Sequence, residues 1–262
     1  MSSISIDMST GKIFRERLAA HELLIGAFLK TPSPHATEIL GDVGYDFVIV
    51  DAEHAPFDRT STDVILLAAR AAGIAAVVRV PDSTPAHLLA ALDDGADGVL
   101  VPHISTAASA RAIVSASRYR GGKRGFSNSP RAGRYGGLQI SEHVAAGDAR
   151  ATVLAMIEDP EVLGEIDALA AVSGLDGLFL GRGDLTVALG ASSSEDPAVR
   201  AVVERIAEAG RAGGKPLCAY VARYVPAEFA WLRSIGVTVF VVSSDQGLMR
   251  RAATETLSAF RA

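Results

Sequence analysis

The sequence predicts a (β/α)8 barrel forming one domain over residues 1–262, and three observations carry that prediction. Short runs rich in β-branched and aliphatic residues recur along the chain, segments with helical spacing separate them, and 262 residues suit one α/β barrel. The runs are LIGAFL (24–29), FVIV (47–50), AAVVRV (75–80), GVLVP (98–102), VLAMIE (153–158), GLFLG (177–181), PLCAYV (216–221) and VTVFVV (237–242). None alternates apolar with polar residues, so each reads as a strand covered on both faces, as parallel strands are. The helical segments carry their own punctuation. In STPAHLLAALDDG, Ser83 or Thr84 can cap, Pro85 suits the first turn and Gly95 stops the helix. The segment 197–214 repeats the pattern, with Gly213 and Gly214 as its stop. An open doubly wound sheet is the alternative, but no Gly-x-Gly-x-x-Gly follows the first strand. The interval 103–152 is long for a barrel connection; a helix is followed there by YRGGKRGFSNSPRAGRYGG, expected to be functional or disordered.

Composition narrows the function class. A hydrophobic fraction of 49% supplies a large core, and a net charge of −5 argues against nucleic acid and anionic membrane surfaces as partners. The single cysteine, Cys218, reads as a buried small hydrophobe and fits a reducing compartment. The N-terminal MSSISIDMSTGK has no basic segment followed by an apolar run, so no signal peptide is expected. No apolar stretch approaches the roughly 20 residues of a membrane span. A cytoplasmic enzyme is the expectation.

In a barrel, catalytic groups stand where strands end, because the βα loops open on one face. Asp51, Glu53 and His54 follow the second run, Arg79 lies in the third, Glu158 closes the fifth, and Asp184 follows the sixth in GRGD. Barrel closure brings these strand ends together. Glu158 and Asp184 offer two hard oxygen ligands, suited to an octahedral Mg²⁺, Mn²⁺ or Co²⁺ with open positions for water and substrate. A 2-oxo acid can chelate such an ion, which stabilises an enolate as a Lewis acid. Arg79 can set a fixed cation against that oxyanion, and His54 titrates near neutrality and can shuttle the proton. Asp51 is expected to support them, by hydrogen-bonding a metal-bound water or His54, and Glu53 reads equally as a structural carboxylate. His103 can line the pocket or be structural. Lys123, Arg124, Arg131 and Arg134 read first as a solvated loop, with one of them, such as Arg124, meeting the polar end of the acceptor as the sharper reading. No run ends in a lysine suited to a Schiff base.

The segments YDFVIVDAEHAPFD, VVRVP, LDDGADGVLVPHI, MIEDPEVLGEID and LDGLFLGRGDLT resemble, in order and spacing, the HpcH/HpaI family of metal-dependent class II pyruvate aldolases. That resemblance covers roughly residues 12–255. It implies a pyruvate-type barrel with a swapped C-terminal helix and no organic cofactor. The implied reaction is reversible cleavage of a 4-hydroxy-2-oxo acid to pyruvate or hydroxypyruvate plus an aldehyde. Carried over by motif position, it makes His54 the base, Arg79 the enolate stabiliser, and Glu158 and Asp184 the metal ligands. It places the donor's carboxylate on the backbone around Gly183 and Asp184. The family's aspartate that raises the histidine's basicity matches Asp93, at the end of a helix on the face opposite the catalytic rim. Asp93 then reaches His54 only from a neighbouring subunit, which implies a homohexamer (a trimer of dimers) with interface active sites. Two departures stand out. Met156 replaces a glutamine that many members use toward the donor, and Gly-Arg-Gly-Asp replaces Gly-Pro-x-Asp, so Arg182 adds a cation and preference among substrates can shift. A related metal-enolate lyase, an oxaloacetate decarboxylase or a barrel that has lost catalysis are the alternatives.

Overall fold

Each β-branched run becomes a strand because its side chains find apolar cover on both sides. In the computed structural model, which describes residues 13–262, helix α1 (Phe14–Ala19) precedes β1 (Leu24–Leu29), α2 (Pro34–Val43), β2 (Phe47–Asp51), α3 (Arg59–Ala72), β3 (Ala75–Arg79), α4 (Pro85–Asp93) and β4 (Gly98–Val101). Two helices, α5 (Ala107–Ser117) and α6 (Ile140–Arg150), lie before β5 (Thr152–Ile157). Then come α7 (Ile166–Ala170), β6 (Gly177–Leu180), α8 (Arg182–Ala188), α9 (Pro197–Ala212), β7 (Leu217–Val221), α10 (Pro226–Ser234), β8 (Val237–Ser244) and α11 (Asp245–Arg261). The eight strands pair in parallel, in chain order, as a closed barrel with β8 beside β1. The expected architecture is the one observed. Residues 1–12, on which the signal-peptide reading fell, lie outside the described residues.

Two side-chain layers follow from the period of two along each strand. Outward residues such as Val48, Val50, Val99 and Val153 pack under the helices. Inward residues fill the barrel: Leu24 and Phe28 on β1, Phe47 and Ile49 on β2, Val77 on β3, Leu154 and Met156 on β5, Phe179 on β6, Cys218 on β7. Gly26 is small because the Phe47 ring crosses there, 2.5 Å from where a Cβ would sit. Phe14 and Leu18 of α1 join the same interior cluster, with Phe14 and Phe47 ring centroids 5.1 Å apart, so α1 closes the N-terminal end of the barrel. Moving two residues on from Phe28, Ile49, Val77, Met156 and Cys218 reaches Lys30, Asp51, Arg79, Glu158 and Tyr220. The same alternation that buries the core therefore ends in a polar layer at the mouth.

One element differs in part from expectation, and the last helix is exposed. In the Gly/Arg/Ser-rich connection Lys123 and Arg134 are exposed, as a solvated loop has them, whereas Arg124 is buried and Arg131 pairs with Asp63. The connection packs around His143, fully buried, whose Nδ1 lies 2.8 Å from Asn128 Oδ1 and whose Nε2 lies 3.2 Å from the Tyr119 hydroxyl. The helix α11 carries no buried residue, and Met249, Leu257 and Phe260 are exposed along it, Phe260 by 88%. Among the described residues no helix is long and apolar enough to cross a membrane.

Candidate active site

Asp51 is the centre of the polar layer. Strands β2 and β3 pair with Asp51 directly beside Arg79, and the guanidinium reaches across with Nε donating to Oδ1 at 2.8 Å and Nη2 to Oδ2 at 2.7 Å. The His54 backbone N–H adds a third donor to Oδ1 at 3.1 Å, and Lys30 Nζ approaches Oδ2 at 2.8 Å. Burial pushes the Asp51 carboxyl toward protonation, but the Arg79 and Lys30 contacts outweigh it and hold its pKa at about 2. Both of its oxygens are therefore occupied by protein donors. It fixes Arg79 and the backbone of the His54 turn; its expected contact with a metal-bound water has no free oxygen facing it.

Arg79 spends two nitrogens on Asp51 and keeps Nη1 for the cavity, where its neighbours are Glu53 Oε2 at 3.3 Å and the Met156 sulfur at 3.9 Å. A thioether is a weak acceptor, so Met156 leaves this N–H donor undersatisfied where a glutamine oxygen would engage it. Glu53 is mostly buried and lies between two imidazoles: His54 Nε2 is 3.6 Å from Oε2 and His103 Nε2 is 3.9 Å from Oε1. The His54 side chain is 58% exposed, at the rim, open to solvent on the side away from Glu53.

Glu158 and Asp184 make the second group. Gly181, at the end of β6, is the reason Glu158 fits: a Cβ at that position would collide with the Glu158 Cβ. Glu158 Oε1 accepts the His103 backbone N–H at 2.8 Å, and the His103 ring Nδ1 lies 3.4 Å away. His103 holds a positive φ of 56°, uncommon for a non-glycine residue, and is kept there by that bond. Burial pushes the Glu158 carboxyl up to about 7; His103 counters, while the charges of Asp184 and Glu53 add to the rise. The His103 imidazole is in turn raised: burial opposes its charged form, and Glu158 and Asp159 overcome that. Two neighbouring carboxylates, one buried and lacking any cationic partner but an imidazole, form an electron-rich pocket that fits a hard divalent ion. Among the described residues no three His, Cys, Asp or Glu side chains converge on one point, so protein would supply a minority of the ligands and leave positions for water and substrate.

The remaining expected residues fall elsewhere. Gly183 and Asp184 are exposed in the first turn of α8, where N–H groups have no intrahelical acceptor. Arg182, expected to add a cation toward substrate, turns away: its buried guanidinium donates to the Tyr220 carbonyl at 2.7 Å and to Glu228 Oε1 at 2.6 Å, tying α8 to α10. Asp93 ends α4 on the N-terminal side of β4, and its Oδ1 accepts from Arg124 Nη2 at 2.8 Å. Arg124 is buried and stacks on Tyr119, 4.3 Å from the ring centroid, so within one chain neither residue stands at the mouth. Lys30 was missed. It directly follows β1, so a lysine does stand at a strand end, where its Nζ is engaged with Asp51.

Comparison with known proteins adds an independent line. The family model described as HpcH/HpaI aldolase/citrate lyase matches residues 24–249. The chain is 34% identical over 250 residues to 5-keto-4-deoxy-D-glucarate aldolase of Klebsiella pneumoniae subsp. pneumoniae, covering 95% of this chain and 96% of that protein. A HpcH/HpaI aldolase/citrate lyase family protein from Burkholderia cenocepacia J2315 superposes with a TM-score of 0.88 at 30% identity, over 95% of this chain and 98% of that one. Citrate synthase SbnG superposes with a TM-score of 0.85 at 30% identity, over 95% and 97%.

Proposed function

Because the chain belongs to the HpcH/HpaI aldolase/citrate lyase family and is a carbon–carbon lyase of the aldolase type, we propose that it cleaves 4-hydroxy-2-oxo acids, in the reverse sense joining pyruvate or hydroxypyruvate to an aldehyde. The observation that carries this reading is the juxtaposition of Arg79, locked by Asp51 with Nη1 turned to the cavity beside Glu53, and the carboxylate pair Glu158 and Asp184 in one polar layer. The family implies a divalent metal. Glu158 and Asp184 would hold it, with Mg²⁺, Mn²⁺ or Co²⁺ as the ions whose preferences fit two carboxylates, and it would supply Lewis-acid polarisation of the donor ketone.

The chain's own residues do the rest. The first-turn N–H groups of Gly183 and Asp184 receive the donor's carboxylate. Arg79 Nη1 meets the oxygen on which negative charge develops as the carbon beside the ketone loses its proton; its other nitrogens are held by Asp51, so the guanidinium is preorganised for that charge. His54, on the rim and free on one side, takes and returns the proton. Glu53 holds the orientation of the His54 and His103 rings. Met156 gives a soft, apolar wall where a polar contact to the donor would stand, which favours a methyl-bearing donor over a hydroxymethyl one.

Asp93 serves His54 of a second subunit in this reading. Its support is that Asp93 and His54 lie at opposite ends of the strands and that α11 has no fully buried residue and leaves Met249, Leu257 and Phe260 exposed. A hexamer of exchanged C-terminal helices, with active sites between subunits, accounts for both. The test of the aldolase reading is removal and return of metal. Dialysis against EDTA abolishes cleavage and the exchange of deuterium into the pyruvate methyl group, and Mn²⁺, Co²⁺ or Mg²⁺ restores both. Full exchange by metal-free protein would refute it.

A further inference from the structure

A cavity opens at the end of the barrel opposite the mouth. It lies where the chain enters β3, β4 and β5, with α3 and α6 as its walls and the segment 131–138 across its lip. Its volume is about 240 Å³, room for roughly eight waters at about 30 Å³ each. The floor is apolar and buried, made by Leu66, Ala69, Ile74, Ala76, Leu92 and Ala96. None of His54, Arg79, Glu158 and Asp184 lines it.

Five arginines do: Arg70 of α3, Arg124, Arg131 and Arg134 of the glycine-rich connection, and Arg150 of α6. Three of them are paired through Nη2, Arg124 with Asp93 at 2.8 Å, Arg131 with Asp63 at 2.5 Å and Arg150 with Asp97 at 2.8 Å. Arg70 and Arg134 are exposed and have no carboxylate partner among the described residues. Glu142, the other acid on the wall, caps α6 by accepting the Gln139 backbone N–H at 3.0 Å. Against five arginines, Asp63, Asp93, Asp97 and Glu142 leave one positive charge over, and the adjacent Arg59 and Asp94 neutralise each other. Hydrogen bonding is further out of balance. A guanidinium has five N–H donors and no acceptor, and the Nε groups of Arg124 and Arg131 are buried with no acceptor among the described residues. A molecule that suits these walls brings acceptors rather than donors.

The lip is held in a costly backbone conformation. Arg134 and Tyr135 have φ of 51° and 55°, in the left-handed region that non-glycine residues avoid. Tyr135 is 68% exposed, so its own burial does not offset that cost; the turn instead keeps Arg134 on the cavity wall. Strain of this kind gathers at ligand-binding segments.

We propose that this cavity binds a compact organic anion, with phosphate or carboxylate oxygens on the arginine rim and the carbon body on the apolar floor. Phosphate esters and dicarboxylates share that chemistry, and guanidinium groups match both through charge-assisted, bidentate bonds. The site stands apart from the mouth, so the proposal does not depend on the aldolase reading.

The test is titration calorimetry of the Mn²⁺-loaded, full-length protein with glycerol 2-phosphate, succinate and, as the neutral control, glycerol. One anion or both should bind at one site per chain at least about tenfold more tightly than glycerol, and the tighter of the two tells a phosphate ester from a dicarboxylate. In the double variant Arg70→Gln/Arg134→Gln that affinity should fall by at least about tenfold, the equivalent of about 1.4 kcal/mol. Both side chains are exposed and without a carboxylate partner, so the variant should unfold at the native temperature. Glu158→Gln, at the mouth, should bind the anion as the native chain does. Anions held no more tightly than glycerol overturn the proposal. So does an affinity that survives the double substitution, and so does one lost in Glu158→Gln, since the anion would then sit at the mouth.

Discussion

Replacing Glu158 by glutamine in metal-free protein should flatten the pH dependence of stability. In the folded chain Glu158 keeps its proton up to about pH 7, because burial and the nearby charges of Asp184 and Glu53 disfavour the anion. An unfolded glutamate releases that proton near its ordinary value of 4.5. Between those values the folded state binds more protons than the unfolded state, so stability falls as pH rises through the window. A shift of that size is worth roughly 3 kcal/mol at about 1.4 kcal/mol per pH unit, read for Glu158 and its partner His103 together. The assay is urea unfolding in EDTA at pH 5 and pH 8, for native chain and Glu158→Gln. Any constant cost of the amide cancels when the two pH differences are compared. The native chain should lose up to about 3 kcal/mol more than the variant on going to pH 8. Divalent metal, by neutralising the carboxylate, should restore most of that loss in the native chain and none in Glu158→Gln. Parallel pH profiles for the two proteins would refute the account of Glu158 as a carboxyl burdened by burial.

Three further outcomes follow from the site and its partner residues. Arg79→Met leaves the Asp51 charge buried with only Lys30 beside it, and should cost about 3–5 kcal/mol in denaturant unfolding as well as deuterium exchange into pyruvate. Gly181→Ala drives a methyl group into the Glu158 side chain, so Mn²⁺ affinity followed by electron paramagnetic resonance should fall by at least about tenfold, the equivalent of about 1.4 kcal/mol. His54→Ala and Asp93→Asn proteins, each inactive alone, should regain a fraction of activity when unfolded together and reassembled, because mixed interfaces carry one intact pair; no recovery would place Asp93 outside the active site.

The barrel was legible because strand burial on both faces leaves an unbroken apolar run, and every run from β1 to β8 is of that kind. The positions of Asp51, Arg79 and Glu158 at the mouth follow from the same alternation and were readable from where the apolar runs end. Lys30 was equally readable by position, two residues past Phe28, yet it hides behind a Thr-Pro turn that looks like an ordinary strand exit. What Arg124 and Arg182 do was not readable. An arginine in a glycine-rich connection looks solvated, and its burial depends on partners far along the chain: Asp93 for Arg124, Glu228 for Arg182. Such pairings are set by helix packing, which local composition does not encode. His103 is an intermediate case. Its place after β4 was legible, but its closeness to Glu53, Glu158 and Asp159 comes from a positive φ that no neighbouring residue announces.

The helix α1 gives the barrel a floor. With Phe14 and Leu18 wedged beneath Phe47, and Gly26 leaving the ring its room, the interior is a cul-de-sac. Traffic to Arg79 runs only through the loops above the strands. A donor seated deep beside Arg79 and an acceptor that follows it then share one doorway, so the first molecule in is the last one out. Steady-state kinetics should accordingly show donor binding before acceptor, and in the cleavage direction the aldehyde should leave before pyruvate.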